Sequence, residues 1–566
     1  MTGTDYGWWH AEPALGENAA DYGFVLDGGE PLPHPRSPWQ PGGIHGASRR
    51  VDHEAFSWTD HRWQARPLSA AIIYELHVGT FTPQGTFAGV IDKLDYLVEL
   101  GITHLELMPV AEFSGTRGWG YDGADLYAPH HAYGGPDDLK RLVDACHGRG
   151  LAVILDVVYN HLGPAGNYLA RFGPYFTERY ATPWGQAINF DGPDSDEVRR
   201  FICDNALMWL RDYHFDGLRL DAVHALIDTS ATHLLEQLAC EMADLEAQSG
   251  RHLILIAESD LNDPRIVRSQ EIGGYGIHAQ WSDDFHHALH TVLTGERDGY
   301  YADFGSLADL AKAIERVFVH DGSYSAFRRR RHGRAPKGIL GHSFLGYLQN
   351  HDQVGNRAKG ERSSHLLTVG RLKIGAALVL GAPFIPMLFQ GEEWGASSPF
   401  LYFTNHEDAE LGRLVTEGRR REFGAFSAHS DDVPDPQALE TFERSKLVWD
   451  ECSRTPHAEM LGWHRQLIRL RHECGALSDG RLDRVSVTFD EQAKWLVMAR
   501  GPIAVACNLS ARRRQMSIRT GKELRVLVAS EKEVQLVGSG VELPPDSVAV
   551  LEAIGNRAPA RGNEHG

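Results

Sequence analysis

The rhythm of apolar and polar positions changes three times along the chain. Residues 1–68 show little periodicity and are rich in Gly, Pro and Trp; the stretch GGEPLPHPRSPWQPGG reads as an ordered, proline-stiffened connection. From Ala71, short apolar runs alternate with amphipathic helical segments, the mark of parallel strands joined by crossover helices. Eight such runs stand out: IIYELHVGTF, HLELMPV, LAVILDVVYNH, DGLRLDAV, LILIAES, HAQWSDDF, FLGYLQNHD and FIPMLFQG. Between them, PDDLKRLVDACHGRG sets Leu139, Leu142, Val143 and Cys146 at helical spacing, with Pro136 near its start and Gly148 near its end. Leu307, Leu310, Ala311, Ile314 and Val317 make a second apolar stripe. The pattern predicts an α/β fold, a (β/α)8 TIM barrel over residues 69–481.

Two connections are long, an excursion at 162–194 and an insertion at 396–445, both on the side of the strands where barrels build their sites. From 482 the runs VSVTF, KWLVMA, IAVACNL, LRVLVA and SVAVLEA, separated by turn residues, predict a C-terminal antiparallel β-domain over 482–566. The polar tail after Ile554 is expected to be disordered.

Charge and composition narrow the function. The net charge of -20 argues against nucleic acid, whose binding needs a positive face, and suits a neutral substrate. The run RRRRHGR at 328–334 is therefore read as a solvated basic segment. None of the six cysteines forms a CxxC pair, so reduced and mostly buried thiols are expected. No basic-then-apolar leader and no membrane-length apolar run is seen, which makes a cytoplasmic location the default.

The candidate chemistry lies at strand ends. Strand residues alternate faces, so in DGLRLDAV Arg219 and Asp221 share one face and Leu218, Leu220 and Ala222 the other. A guanidinium keeps a neighbouring carboxylate ionised, as a nucleophile requires, although the same spacing suits a plain structural ion pair. Glu258 ends the apolar run LILIAES, where partial desolvation favours the protonated form of a general acid. His351 and Asp352 end the seventh run, and Asn160 and His161 the third. A lone histidine there is often merely a satisfied polar residue, but two of them at one barrel mouth point to a hydroxyl-binding pocket. Two carboxylates across a sugar are the minimum for glycoside cleavage, and their separation, which sequence does not give, decides retention or inversion.

DVVYNH, GLRLDAVH, IAESD and NHDQVGNR, on the third, fourth, fifth and seventh runs in that order, resemble the four signature regions of the α-amylase superfamily. The resemblance implies Asp221 as nucleophile, Glu258 as acid/base and Asp352 as transition-state stabiliser. It also implies that Tyr121, His161, Arg219, His351 and Arg357 hold the reacting glucose. Further segments, among them GWWHAE, TPWGQAINFDGPDSDEVRRF, HAQWSDDFHHALHTVLTGERDGYYADF, FQGEEWGASSPFLYFTNH, EGRRREF and FERSKL, closely resemble the maltooligosyltrehalose trehalohydrolase family from about Tyr6 to the β-domain. That resemblance implies cleavage of the α-1,4 bond next to the terminal trehalose of maltooligosyltrehalose, in trehalose biosynthesis. The substrate would come from maltooligosyltrehalose synthase as a pathway partner, with no physical complex implied. Trp281, Asp283 and Asp284 of WSDDFHH are candidates for reading the bent trehalose end, or else only shape the loop.

Family members usually carry a complete N-terminal β-sandwich. Here residues 1–68 match only its last part, so a truncated or reduced sandwich remnant is expected. Many α-amylases bind calcium through the equivalent of Asn160. The excursion lacks an acidic cluster and the family is not calcium-dependent as a rule, so neither metal nor cofactor is expected. A branching or debranching α-glucan enzyme is the alternative, since TPWGQAINFD suits it too. A non-catalytic glucan-binding protein is a remote one, disfavoured by retention of all three carboxylates.

Overall fold

A computed structural model describes residues 1–10, 21–182, 185–424, 433–518 and 522–554. All eight apolar runs supply strands of one closed parallel barrel: β1 (Ile73–Leu76), β2 (His104–Leu107), β3 (Ala152–Val157), β4 (Gly217–Leu220), β5 (Ile254–Ala257), β6 (Ala279–Trp281), β7 (Phe344–Gly346) and β8 (Ile385–Phe389), with β8 pairing back to β1. Both faces are buried, which is why the runs are continuously apolar rather than alternating. Tyr74, Leu105, Leu155, Leu218 and Leu255 face the helices, while Ile73, Ile154, Ile254, Ala279 and Ile385 fill the interior.

The period of two then fixes what lies above that apolar floor. Two residues further along their strands stand Glu75, Asp156 and Trp281, joined by Glu106 and Arg219 on β2 and β4. Glu75 pairs in register with Glu106, and Asp156 with Arg219. The next inward positions, at the strand ends, are Asp221, Glu258 and Asp283. A polar layer thus separates the apolar floor from the mouth.

Pro136–His147 forms helix α1, with proline in its first turn and the predicted stripe buried. The excursion carries a two-stranded ladder, Phe176–Thr182 with Gly185–Ile188, and the insertion carries helices Ala409–Gly424 and Leu439–Arg444. The five predicted C-terminal strands form one antiparallel sheet. A second, three-stranded sheet (Arg514–Ser517, Gln535–Val537, Gly540–Leu543) packs on it and was not foreseen, because its strands are only three or four residues long and give the sequence no periodicity. The tail after Ile554 lies outside the described residues.

The described part of 1–68 holds three separate ladders with two residues per strand. All six cysteines are free; Cys146, Cys203 and Cys507 are buried and Cys240 is exposed. Arg329, Arg330 and Arg331 are exposed as expected, but Arg328 turns in to Asp260 at 3.3 Å. Among the described residues no helix is long and apolar enough to cross a membrane.

The N-terminal segment is fastened to the barrel by a buried charge cluster. His147, at the end of α1, bonds Asp60 through Nδ1 (2.8 Å) and Asp216 through Nε2 (2.9 Å). Trp63 stacks on the His147 ring and donates its indole N–H to Asp216. Burial opposes charge on His147, but the two carboxylates raise its pKa; burial likewise opposes charge on Asp60 and Asp216, but their partners hold both below the ordinary 3.8. The carboxylate contribution is present above pH 3.8 and lost as pH falls through the depressed values. The imidazole contribution is full below 6.5 and lost as pH rises through the raised value. The clamp is therefore strongest between pH 3.8 and 6.5. His147→Ala removes one partner from each of two buried carboxylates, which keep His214 and Arg251, and is expected to cost about 2–3 kcal/mol by urea denaturation, with the loss shrinking above neutral pH. A loss below about 1 kcal/mol would mean that the cluster is not a clamp.

Candidate active site

The site is assembled around Arg219, which has no exposed surface. Nη1 donates to both oxygens of Asp156 (2.8 and 2.7 Å) and to Asp221 Oδ1 (2.9 Å), and Nη2 lies 2.7 Å from Glu258 Oε2. The guanidinium rests 4.2 Å over the ring of Trp281. A charge buried this deeply is stable only when paired, and here three carboxylates from β3, β4 and β5 supply the pairing. Burial pushes Asp156 up to about 7, against the pull of Arg219.

Two further groups fix the carboxylates. Asn160 Nδ2 donates to Asp221 Oδ2 (2.7 Å) and to its carbonyl (2.8 Å). The N–H of Ala222 donates to Glu258 Oε2 at 2.9 Å. Presenting that N–H puts Ala222 at φ 38, a left-handed conformation that costs a non-glycine residue energy and is met chiefly at functional sites. Asp352 stands in a short helical turn whose N-cap, Asn350, accepts from the N–H groups of Asp352 and Gln353. Burial raises Asp352, the His351 cation opposes that, and Glu258 adds to it.

His351 joins this set to Tyr121. Its Nδ1 hydrogen-bonds Glu75, and its Nε2 lies 2.8 Å from the Tyr121 hydroxyl, which itself donates to Asp156 at 2.6 Å. With that hydroxyl proton given to Asp156, both imidazole nitrogens act as donors. Burial works against the charged ring, but Glu75 outweighs it and lifts His351 to about 9. His161 is buried beside Asn160 and contacts the Tyr121 carbonyl through Nε2 at 3.0 Å.

Three sequence-predicted sugar contacts are placed differently. Trp281 is fully buried as the platform under Arg219, one layer below the mouth, so it does not reach a sugar. Asp284 is buried, and its Oδ2 accepts from Asn262 and from the N–H groups of Val319 and His320, which fastens a loop. Arg357 gives both terminal nitrogens to Glu296, at 2.9 and 2.8 Å, instead of presenting them to the pocket. Asp283 does sit at the mouth, half-buried, accepting from Tyr347.

Glu75, Asp156 and the role of Asn160 toward Asp221 were missed from sequence. The available signal was an acidic residue at inward parity in an otherwise apolar run, as in IIYELHV and AVILDVV. Asn160 spends its amide N–H on Asp221 and meets the His161 ring through its side-chain oxygen. Among the described residues, one cluster brings metal-ligand atoms within 4.8 Å of one another, Glu112, His130 and His131, but there the Glu112 carboxylate is already held by the N–H and ring of His131.

The model for the alpha amylase catalytic domain matches residues 53–180, and a domain of unknown function, DUF3459, matches residues 480–550. The malto-oligosyltrehalose trehalohydrolase of Mycobacterium tuberculosis is 54% identical over 90% of this chain and 89% of its own. The enzyme of that name from Rhizobium sp. (strain M-11) is 50% identical over 97% and 92%. A crystal structure from Salmonella typhimurium, provisionally named an alpha amylase, superposes with a TM-score of 0.87 at 40% identity, covering 94% of this chain and 90% of its own. With a barrel site of this construction and relatives of this identity along nearly the whole length, the chain belongs to the malto-oligosyltrehalose trehalohydrolase family.

Proposed function

We propose that the protein hydrolyses the α-1,4 bond next to the terminal trehalose of maltooligosyltrehalose, releasing trehalose and a maltooligosaccharide with retention of configuration. The observation that carries this is one guanidinium gripping both Asp221 and Glu258. Tying both carboxylates to the terminal nitrogens of a single fork keeps them close together, which favours the roughly 5 Å spacing of retaining enzymes over the wider gap that an inverting enzyme needs for water.

Asp221, oriented by Arg219 and Asn160, attacks the anomeric carbon while Glu258 protonates the leaving oxygen of trehalose. Asp352 steadies the sugar as positive charge develops, and Tyr121, His351 and His161 line the side of the mouth where the reacting ring binds. Glu258 then takes a proton from water, which opens the glycosyl–Asp221 ester and regenerates both carboxyl groups. The activity named for the relatives supports trehalose as the released unit. A maltooligosyltrehalose-forming synthase would precede it in the reaction sequence, and six unpaired cysteines fit a cytoplasmic setting.

The direct test is incubation with maltotriosyltrehalose and, separately, maltopentaose. Trehalose release from the first is expected to exceed glucose or maltose release from the second by about 100-fold or more, the scale on which a site separates substrates by several hydrogen bonds; comparable rates would indicate a general amylase. Asp221→Ala is expected to lower kcat by about 10⁴-fold or more with the melting transition retained, and near-normal turnover would remove Asp221 as nucleophile. The His351 cation is present below about pH 9 and lost above it. Glu75→Gln withdraws the carboxylate that sustains it, so the alkaline fall of kcat/KM attributable to His351 is expected to move to lower pH. A limb that stays in place would show that the ring does not act as a cation.

A further inference from the structure

The polar layer and mouth hold more carboxyl groups than their positive charge can keep ionised. Asp156, Asp221 and Glu258 all lean on Arg219, and Glu75 is taken by His351. Asp283 has no cationic partner among the described residues. It stands at the end of β6, between the β5 end that carries Glu258 and the β7 end that leads to Asp352. The groups facing it are Glu258 and Asp260 from beyond β5, Asp352 from beyond β7, and the hydroxyls of Tyr347 and Tyr300. Like charges gathered this closely cannot all ionise; Asp352 also lacks an ion pair among the described residues, but it has the His351 cation beside it and accepts from Asn356, so Asp283 is the member placed to keep its proton.

The hydrogen bonding gives that proton a direction. Tyr347, fully buried, donates to Asp283 Oδ1 at 2.6 Å. Among the described residues Oδ2 has no hydrogen-bond partner, and the side chain is only half-buried at the mouth. With Oδ1 fixed as an acceptor, a proton on Oδ2 makes the carboxyl an O–H donor to whatever fills the pocket. Burial first, eased by the Tyr347 hydrogen bond and then reinforced by Glu258, Asp260 and Asp352, lifts Asp283 to about 8.

We propose that Asp283 is a substrate-binding residue that works as a neutral acid, with Oδ1 locked by Tyr347 and the Oδ2 hydroxyl donating to an oxygen of the bound α-glucan beside the bond to be cut. This deepens the glycosidase reading and rests on it. A donor suits this position because a carboxylate added between Glu258 and Asp352 would repel both. Above its ionisation Asp283 turns from donor to acceptor and adds that negative charge.

The test compares pH profiles of kcat/KM for wild type, Asp283→Asn and Asp283→Ala on an α-1,4-glucan that the wild type cuts. Wild type is expected to lose activity as pH rises through about 8, ahead of the later limb from His351. Asp283→Asn keeps a neutral donor and is expected to lose about tenfold at pH 6, with the limb near 8 absent. Asp283→Ala removes the donor and is expected to lose about 100-fold, the scale of a hydrogen bond left unmade in a desolvated site. Tyr347→Phe withdraws the bond that eases ionisation, so its limb is expected at higher pH than in wild type. Equal losses in the Asn and Ala variants at pH 6, or a limb near 8 that persists in Asp283→Asn, would overturn the proposal. Failure of the wild type to release trehalose would overturn the substrate assignment instead, and leaves the Asp283 comparison readable on maltopentaose.

Discussion

Arg219 carries a full charge in a place that water does not reach. Desolvating a guanidinium costs several kcal/mol even after relaxation, so the fold must return that energy through close, well-directed partners. It does so with Asp156 from β3, Asp221 from β4 and Glu258 from β5. The same contacts that stabilise the buried cation set the relative positions of the two carboxylates proposed to do the chemistry. Structure and function are therefore tied at one residue, and neither carboxylate can move far without exposing the other's partner.

The layer beneath the mouth extends this logic. Glu75 holds the His351 cation, His351 meets Tyr121, and Tyr121 returns to Asp156 and so to Arg219. Glu106 is the member left over. Among the described residues neither of its oxygens has a hydrogen-bond partner, and burial, with Glu75 beside it, drives it far toward the neutral form. Burial thus works against the charged form of Asp156 and Glu106 alike, and the Arg219 cation within reach of Asp156 restrains a rise that in Glu106 goes much further.

Much of this was legible in the sequence because a barrel strand has a period of two. The eight runs gave the eight strands, and parity in DGLRLDAV put Arg219 and Asp221 on one face. Parity does not give depth, however. Trp281 and Asp283 share a face, yet one lies in the layer below and the other at the mouth, so the sequence could not choose between a sugar contact and a structural role for the aromatic. Partnerships across the barrel were also hidden. Glu75 and His351 are 276 residues apart, and only closure of β8 onto β1 brings their strands near. The Arg357–Glu296 pair was hidden for a related reason: Glu296 follows the helix after β6, and no local pattern links the two.

The account's central claim is that Arg219 sets Asp221 and Glu258 at the spacing for double displacement. The most direct measurement is the anomeric configuration of the new reducing end, followed by proton NMR during the first minutes of hydrolysis, before mutarotation mixes the anomers. Two displacements at one carbon predict that the α-anomer appears first and the β-anomer grows in only as mutarotation proceeds. First appearance of the β-anomer would mean a single displacement by water across a wider gap. It would contradict both the covalent role of Asp221 and the spacing that the Arg219 fork imposes.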